Sequence, residues 1–153
     1  MWRTYLDPRP VTIATSVEPE GRPNAITLGW SMPTSFQPPL LAISVGHTRY
    51  SHLLLERCRE FVLNIPGEDI RDLAVRIGSC SGRDVDKFAE LGLTAVPARS
   101  VRPPAIGECM AAIECRIVDQ FVTGDHTIFV GEVTEAYPLG EGYDVSKVML
   151  QSR

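Results

Sequence analysis

The feature that most constrains this chain is a pair of long alternating segments in its C-terminal half. Met110 to Val122 puts Ala111, Ile113, Cys115 and Ile117 on one face and Glu114 and Arg116 on the other. Thr123-Gly124-Asp125 turns the chain, and His126 to Tyr137 reads as the returning strand. Such a hairpin must find further strands to cover its apolar face, and the sequence supplies at least four. Val11 to Val17, Ala25 to Trp30, Leu40 to Val45 and Phe61 to Ile65 all have strand character, cut apart by glycine and proline. Glu18 to Pro23 reads as a turn, and the stretch carrying Pro33, Pro38 and Pro39 as a loop.

Helices fill the remaining gaps. Ser51 to Arg59 carries Leu54 and Cys58 on one face. Ile70, Leu73, Ala74 and Ile77 form an amphipathic stripe that Asp69 can cap and Gly78 can stop, and Lys87 to Leu91 adds a short turn. The predicted fold is mainly β: one domain over residues 1–153, an antiparallel, Greek-key-like barrel with one or two covering helices. Val11, Ile13, Leu28, Trp30, Ile128 and Val130 exceed what one small core would hold, so some are expected to face a second subunit.

Bulk properties exclude several classes. The 153 residues are 44% hydrophobic and 22% charged, ordinary for a folded chain. The net charge of -4 and the scattered arginines argue against a nucleic-acid partner. No run approaches the ~20 apolar residues of a membrane span, and the first residues lack a signal-peptide core. Cys58, Cys80, Cys109 and Cys115 form no C-x-x-C pair, so reduced thiols and a cytoplasmic location are expected. Cys109 and Cys115 read as core thiols on one strand face. His47 and His52, five apart without a carboxylate cluster, do not suggest zinc. There is no G-x-G-x-x-G, no P-loop, no G-x-S-x-G and no H-E-x-x-H. Any reactive group would therefore come from a cofactor.

Four segments carry a specific resemblance. They are Pro10 to Thr15 with Asn24 to Trp30; Ser35-Phe36-Gln37-Pro38-Pro39 running through Val45 to Arg49-Tyr50-Ser51; Ser81 to Phe88; and Gly124 to Val133. In this order the chain resembles the flavin reductase-like family, especially its flavoredoxin-type branch. The resemblance implies a split β-barrel, a non-covalent FMN and a homodimer with flavin near the subunit interface. Asp144 to Val148 resembles the start of a C-terminal continuation that family members commonly extend further.

The same residues suggest a site. Arg49 precedes the helix that Ser51 begins, where a cation, a hydroxyl and free N–H groups can meet a phosphate; the plainer alternative is a helix cap beside a surface charge. Asn24, Ala25, Thr27, Leu28, Gly29, Trp30 and Ser31 match the stretch that the family wraps around flavin. Gly29 would let the main chain approach a ring closely, while Trp30 could equally be a core residue. Lys87, whose only companion lysine is Lys147, would favour a reduced, anionic ring if it lay beside one, or would be a solvated cation. His126 matches a family histidine near the nicotinamide side of the flavin; otherwise it pairs across the hairpin. The leading functional expectation is an oxidoreductase in which FMN accepts hydride from NADH or NADPH and passes electrons to free flavin or another acceptor. The alternatives are an FMN-binding electron carrier serving a redox protein partner, and a flavin-binding domain without turnover.

Overall fold

The computed structural model describes residues 1–151. Its frame is a seven-stranded antiparallel sheet of β1 (Thr12–Val17), β2 (Pro23–Leu28), β3 (Ser31–Ser35), β4 (Leu40–Gly46), β5 (Glu60–Ile65), β8 (Ala111–Thr123) and β9 (His126–Pro138). The strand order is β2-β1-β5-β8-β9-β4-β3. A second ladder pairs β6 (Ala95–Val96) with β7 (Ala105–Ile106). The helices are α1 (Tyr50–Cys58), α2 (Arg71–Gly78) and α3 (Lys87–Leu91).

The sheet curls because its strands share one interior. Ala14, Ile26, Leu41, Ile43, Phe61, Leu63, Cys115 and Phe129, drawn from β1, β2, β4, β5, β8 and β9, form a single cluster with Leu55 of α1. Burying a side chain such as Phe61 or Phe129 stabilises the fold by about 1.5–3 kcal/mol. Gly131 lets this interior close. A Cβ there would lie 2.8 Å from both Cys115 Cβ and Phe61 Cζ.

A second cluster covers the opposite face of β1, β2 and β5. Val11, Ile13, Ala25 and Val62 meet Ala74 and Ile77 of α2 and Phe88 of α3. This layer corrects the crowding argument. Val11, Ile13 and Leu28 are buried within the chain's own two cores, and only Trp30, Ile128 and Val130 stay half-buried.

Four other expectations need correction. The proline-bearing stretch after Trp30 contains β3, an edge strand paired to β4 with a register shift between Pro33 and Ser35. An edge tolerates a proline that lacks a ladder N–H. Asp69 does not cap α2; it lies in a 3-10 turn, Glu68–Ile70, that leads into the helix from Ile70. Alternation in β8 holds through Ile113, Cys115 and Ile117, which share the barrel cluster, and fails beyond them, where Val118 is an extra residue between Ile117 and Asp119; at Glu114 the extra residue is Thr134 on β9. A bulge sets two residues against one and re-aims the side chains. Glu114, on the face opposite Cys115, is nonetheless fully buried under the 99–100 loop and Tyr137, accepting from the Arg99 and Ser100 N–H groups and, at 2.5 Å, from the Tyr137 hydroxyl. Burial raises its pKa, but these donors more than reverse that, and the carboxyl stays below its ordinary value. Finally, Cys109 and Cys115 do not share a face. They sit in different clusters, each thiol pushed up to about 12 by burial.

Candidate functional site

The site begins where β4 ends. Gly46 closes the strand, and Arg49 N–H donates to Gly46 O at 3.1 Å in the turn that starts α1. Arg49 is the extended N-cap residue, with no side-chain cap and no acidic residue in the helix's first turn. The first N–H groups of a helix lack intrahelical partners and carry its positive dipole end. The exposed Arg49 guanidinium makes no hydrogen bond or ion pair among the described residues. A cation and helix N–H groups therefore stand together without an anion.

Behind them lies a buried polar pair. Asn24 Nδ2 donates to Ser51 Oγ at 3.0 Å, which leaves the Ser51 proton free to be donated. Asn24 is only 3% exposed, and its Oδ1 has no hydrogen-bond partner. An orphaned buried carbonyl costs about 1–3 kcal/mol unless a donor reaches it.

The loop before α3 is clamped to this end of α1. Glu18 Oε1 accepts from Arg22 Nη2 at 2.6 Å and from the Tyr50 hydroxyl at 2.7 Å. Arg22 Nη2 also donates to Gly82 O at 2.9 Å. The Arg22 hydrogen bond is the main reason that the Glu18 carboxyl is held at about 2. Arg83 lies over the Tyr50 ring, 5.2 Å from its centroid. Gly82 is pressed so close that a Cβ there would collide with Asn24 Oδ1 and lie 2.8 Å from Asn24 Cγ.

A cleft of about 250 Å³ opens beside Arg49, and Thr27, Leu28, Gly29, Trp30 and His126 line it. The Thr27 hydroxyl is committed to Ala74 O at 2.6 Å, so this residue offers the cleft no free hydroxyl proton. Leu28 belongs to the barrel core. The Trp30 indole lies 4.7 Å from the His126 ring, tilted by 37°. His126 Nδ1 faces Asp125 Oδ1 at 2.7 Å. A carboxylate there fixes the proton on Nδ1 and leaves Nε2 as the acceptor in the neutral ring. Ser31 lies in an adjoining cavity of about 310 Å³ that also shares Gly29 and Trp30.

Two expected residues lie elsewhere. Lys87 is 4% exposed, and its ammonium donates to Ala25 O at 2.7 Å and to Ile77 O at 2.8 Å. Burial lowers its pKa. Ala25 and Lys87 therefore brace β2, α2 and α3 and do not line the cleft. Larger cavities of about 810 and 850 Å³ near Tyr143 gather none of the expected residues. His47 and His52 both hydrogen-bond Thr127 Oγ1, at 3.0 and 2.8 Å.

Sequence reasoning missed Arg3, Arg9 and Gln151, which also line the cleft. Arg9 Nη2 donates to Gln151 Oε1 at 3.0 Å, and that oxygen lies 2.5 Å from where a Gly29 Cβ would stand. These residues come from the two ends of the chain, and no local spacing joins them. The charge of Arg9 just before β1 was the one visible hint.

The donors suit an anion. Arg49, the α1 N–H groups and the Ser51 proton can meet a phosphate, Asn24 holds Ser51 from behind, and Trp30 offers flat surface. FMN has these parts, and the residues present fit it.

Comparison with known proteins agrees with this reading of the fold. The flavin reductase like domain model matches residues 5–145. An uncharacterized protein of Archaeoglobus fulgidus is 42% identical over 131 residues, 86% of this chain and 69% of that protein. The matched stretch covers only 63% and 50% of two further archaeal relatives, from Pyrococcus abyssi and Aeropyrum pernix. An NADH:riboflavin 5'-phosphate oxidoreductase of Streptomyces pristinaespiralis is 30% identical over 82% of this chain and 69% of its own length. The flavoredoxin structure of Desulfovibrio vulgaris superposes with a TM-score of 0.82 at 30% identity, covering 92% of this chain and 75% of that one. The chain belongs to the flavin reductase-like family.

Proposed function

We propose that the chain binds FMN non-covalently in the cleft between the end of β2 and the start of α1, and that it works as an NAD(P)H-dependent oxidoreductase. The observation that carries this reading is the Arg49 guanidinium, without a hydrogen bond or ion pair among the described residues, at an uncapped helix N-terminus, backed by the buried Asn24–Ser51 pair. Bound FMN supplies hydride and electron transfer, which this chain's side chains cannot supply alone.

The chain's own residues then have distinct tasks. Arg49 and Ser51 hold the phosphate, and Asn24 Nδ2 keeps the Ser51 hydroxyl oriented so that its proton points to the ligand. Gly29 leaves room for the Gln151 side chain, and Trp30 beside it offers a flat face to the ring. His126, fixed by Asp125 and braced on Trp30, presents Nε2 to the cleft where a nicotinamide would approach. NADH or NADPH is the proposed donor, in line with the relative named for NADH and riboflavin 5'-phosphate.

Flavoredoxin as a structural neighbour favours a second reading, an electron carrier that takes electrons from or gives them to a protein partner. Anaerobic titration of the FMN-loaded protein with NADH and then NADPH separates the two. Rapid bleaching of the flavin band by either supports the oxidoreductase; a band that bleaches only with dithionite supports the carrier.

A homodimer is part of the proposal. Phe121 pairs with Ile128 across β8 and β9, and Met32, Ala42 and Val130 lie abreast on β3, β4 and β9. Met32, Phe121 and Val122 are exposed, and Phe36, at the β3–β4 turn, is 100% exposed. An apolar stripe of this kind is suited to burial against a second copy.

A further inference from the structure

A polar cluster beside the Arg49 turn is left over from the site. Thr127, the residue after His126 on β9, is 1% exposed, and its hydroxyl lies between two imidazoles, His47 Nε2 at 3.0 Å and His52 Nε2 at 2.8 Å. The two rings meet edge-on with centroids 5.0 Å apart, and the Phe129 ring stands 5.5 Å from His52. His47 N–H also donates to Asp125 O at 3.0 Å, and Gly46 pairs with His126 across β4 and β9. The turn that carries Arg49 is thereby tied to the start of β9.

The number of protons fixes who donates. A threonine hydroxyl has one proton to give, and a neutral imidazole has one donor and one acceptor nitrogen. His52 Nδ1 lies 3.3 Å from Glu56 Oε1, which holds the proton on Nδ1 and makes Nε2 the acceptor of the Thr127 proton. His47 Nε2 must then carry its own proton and donate to the same oxygen. A proton added to His52 breaks this order. Two N–H groups would face Thr127 Oγ1, whose own proton has no other acceptor among the described residues. A proton on His47 Nδ1 leaves the order intact but sets a charge beside His52. The other charged groups around the cluster are Glu56 on α1, Asp125 and His126 at the β8–β9 turn, and Arg49 in the turn itself; Arg59 is held by Gln120, which also donates to Glu56. β4 carries no charged residue, and β8 sets Val122 opposite Thr127. Burial is the main reason that His52 stays below its ordinary value, with Glu56 pulling it up and His47 pushing it down.

We propose that His47, Thr127 and His52 form an acid-sensitive latch on the phosphate end of the cleft. Closed, it holds the Arg49 turn against the start of β9; a proton on His52 opens it and weakens FMN binding. Only the identity of the regulated ligand rests on the flavin reading. An imidazole freed from the cluster takes up its proton at about pH 6.5. The closed cluster resists that proton, so the latch is complete above about pH 6.5 and is lost as pH falls through the lower value of folded His52.

Long-range proton–nitrogen NMR of the full chain, freed of flavin, reads each imidazole nitrogen directly. The expected result at about pH 7.5, well above the ordinary imidazole value, is a proton on His52 Nδ1 and on His47 Nε2. On acidification His52 should titrate below about pH 6.5, with the Arg49 and Asp125 amide signals moving in step. Thr127→Val should raise the His52 midpoint, because no hydroxyl then favours the neutral ring. FMN is next titrated by flavin fluorescence at about pH 7.5 and about pH 5.5 into the wild type and into His52→Gln, whose amide stays neutral. The phosphate of FMN gains its own proton over this range in both samples, so that contribution cancels in their ratio. The wild type should lose about threefold to tenfold more affinity than the variant, the worth of one hydrogen bond. A proton on His52 Nε2 at the higher pH, a His52 midpoint at the ordinary value or above, amide signals that do not follow it, or equal losses in the two proteins overturns the proposal. Imidazoles and amides that behave as described in a chain that takes up no FMN refute the flavin reading and uphold the latch.

Discussion

The His126 imidazole leans on the Trp30 indole, ring centroids 4.7 Å apart, while its Nδ1 faces Asp125 Oδ1 at 2.7 Å. Packing on one side and a hydrogen bond on the other fix both the ring's orientation and its tautomer. His126→Ala should therefore slow flavin reduction by nicotinamide by about 10²-fold, the usual scale for losing a positioned group, with FMN occupancy nearly intact. Stopped-flow reduction at saturating FMN measures this. Lost FMN with an unchanged rate would assign His126 to cofactor binding.

Arg49 has the opposite signature. Its guanidinium has no hydrogen bond or ion pair among the described residues, so Arg49→Ala should weaken FMN by about 1.5–3 kcal/mol, the worth of a charge-assisted contact to the phosphate. Riboflavin, which lacks the phosphate, should lose almost nothing. Fluorescence titrations with both ligands compare them, and equal losses would remove Arg49 from the phosphate.

Much of this was legible in the sequence, and the failures have physical causes. The β8–β9 hairpin, β1, β4, β5 and the α2 stripe follow from periodicity, because apolar residues on one face must be buried whatever lies opposite. The burial of Glu114 could not be read, because alternation gives the face of a residue and not what covers it, here the 99–100 loop and Tyr137. The same limit hid β3, whose prolines suit an edge as well as a loop. At the site, Arg49, Trp30 and His126 line one cleft. Lys87 does not, because a lone lysine gives no sign of whether its partners are solvent or the carbonyls of Ala25 and Ile77.

Acid should loosen the clamp on α1. The Glu18 carboxyl falls from 4.5 to about 2 in the folded chain, first because of Arg22. A depressed folded pKa gives stability that is complete above the unfolded value and is lost as pH falls through the folded one. Thermal melts should therefore show a Glu18 contribution above about pH 4.5 that fades toward pH 2. Glu18→Gln should melt lower than the wild type at pH 6, with the gap closing by pH 2. A gap independent of pH would show that the ion pair is not its source.

The apolar stripe across β8, β9, β4 and β3 should hold two copies together. An obligate interface buries on the order of 2,000 Å² or more, and FMN near the seam would strengthen it by linkage. Light scattering across a wide dilution range, with and without FMN, should give the mass of two chains. Phe121→Asp should give one chain without altering the far-UV spectrum. An FMN-loaded single chain at micromolar concentration would refute the dimer.

The central claim is that this cleft holds FMN, and uptake of the cofactor tests it most directly. The purified chain, equilibrated with FMN and passed over a desalting column, should emerge yellow with the bands of oxidised flavin. Heating should release a pigment that chromatographs as FMN, at close to one per chain. A colourless protein that retains no added FMN, while its melting curve shows it folded, would contradict the account.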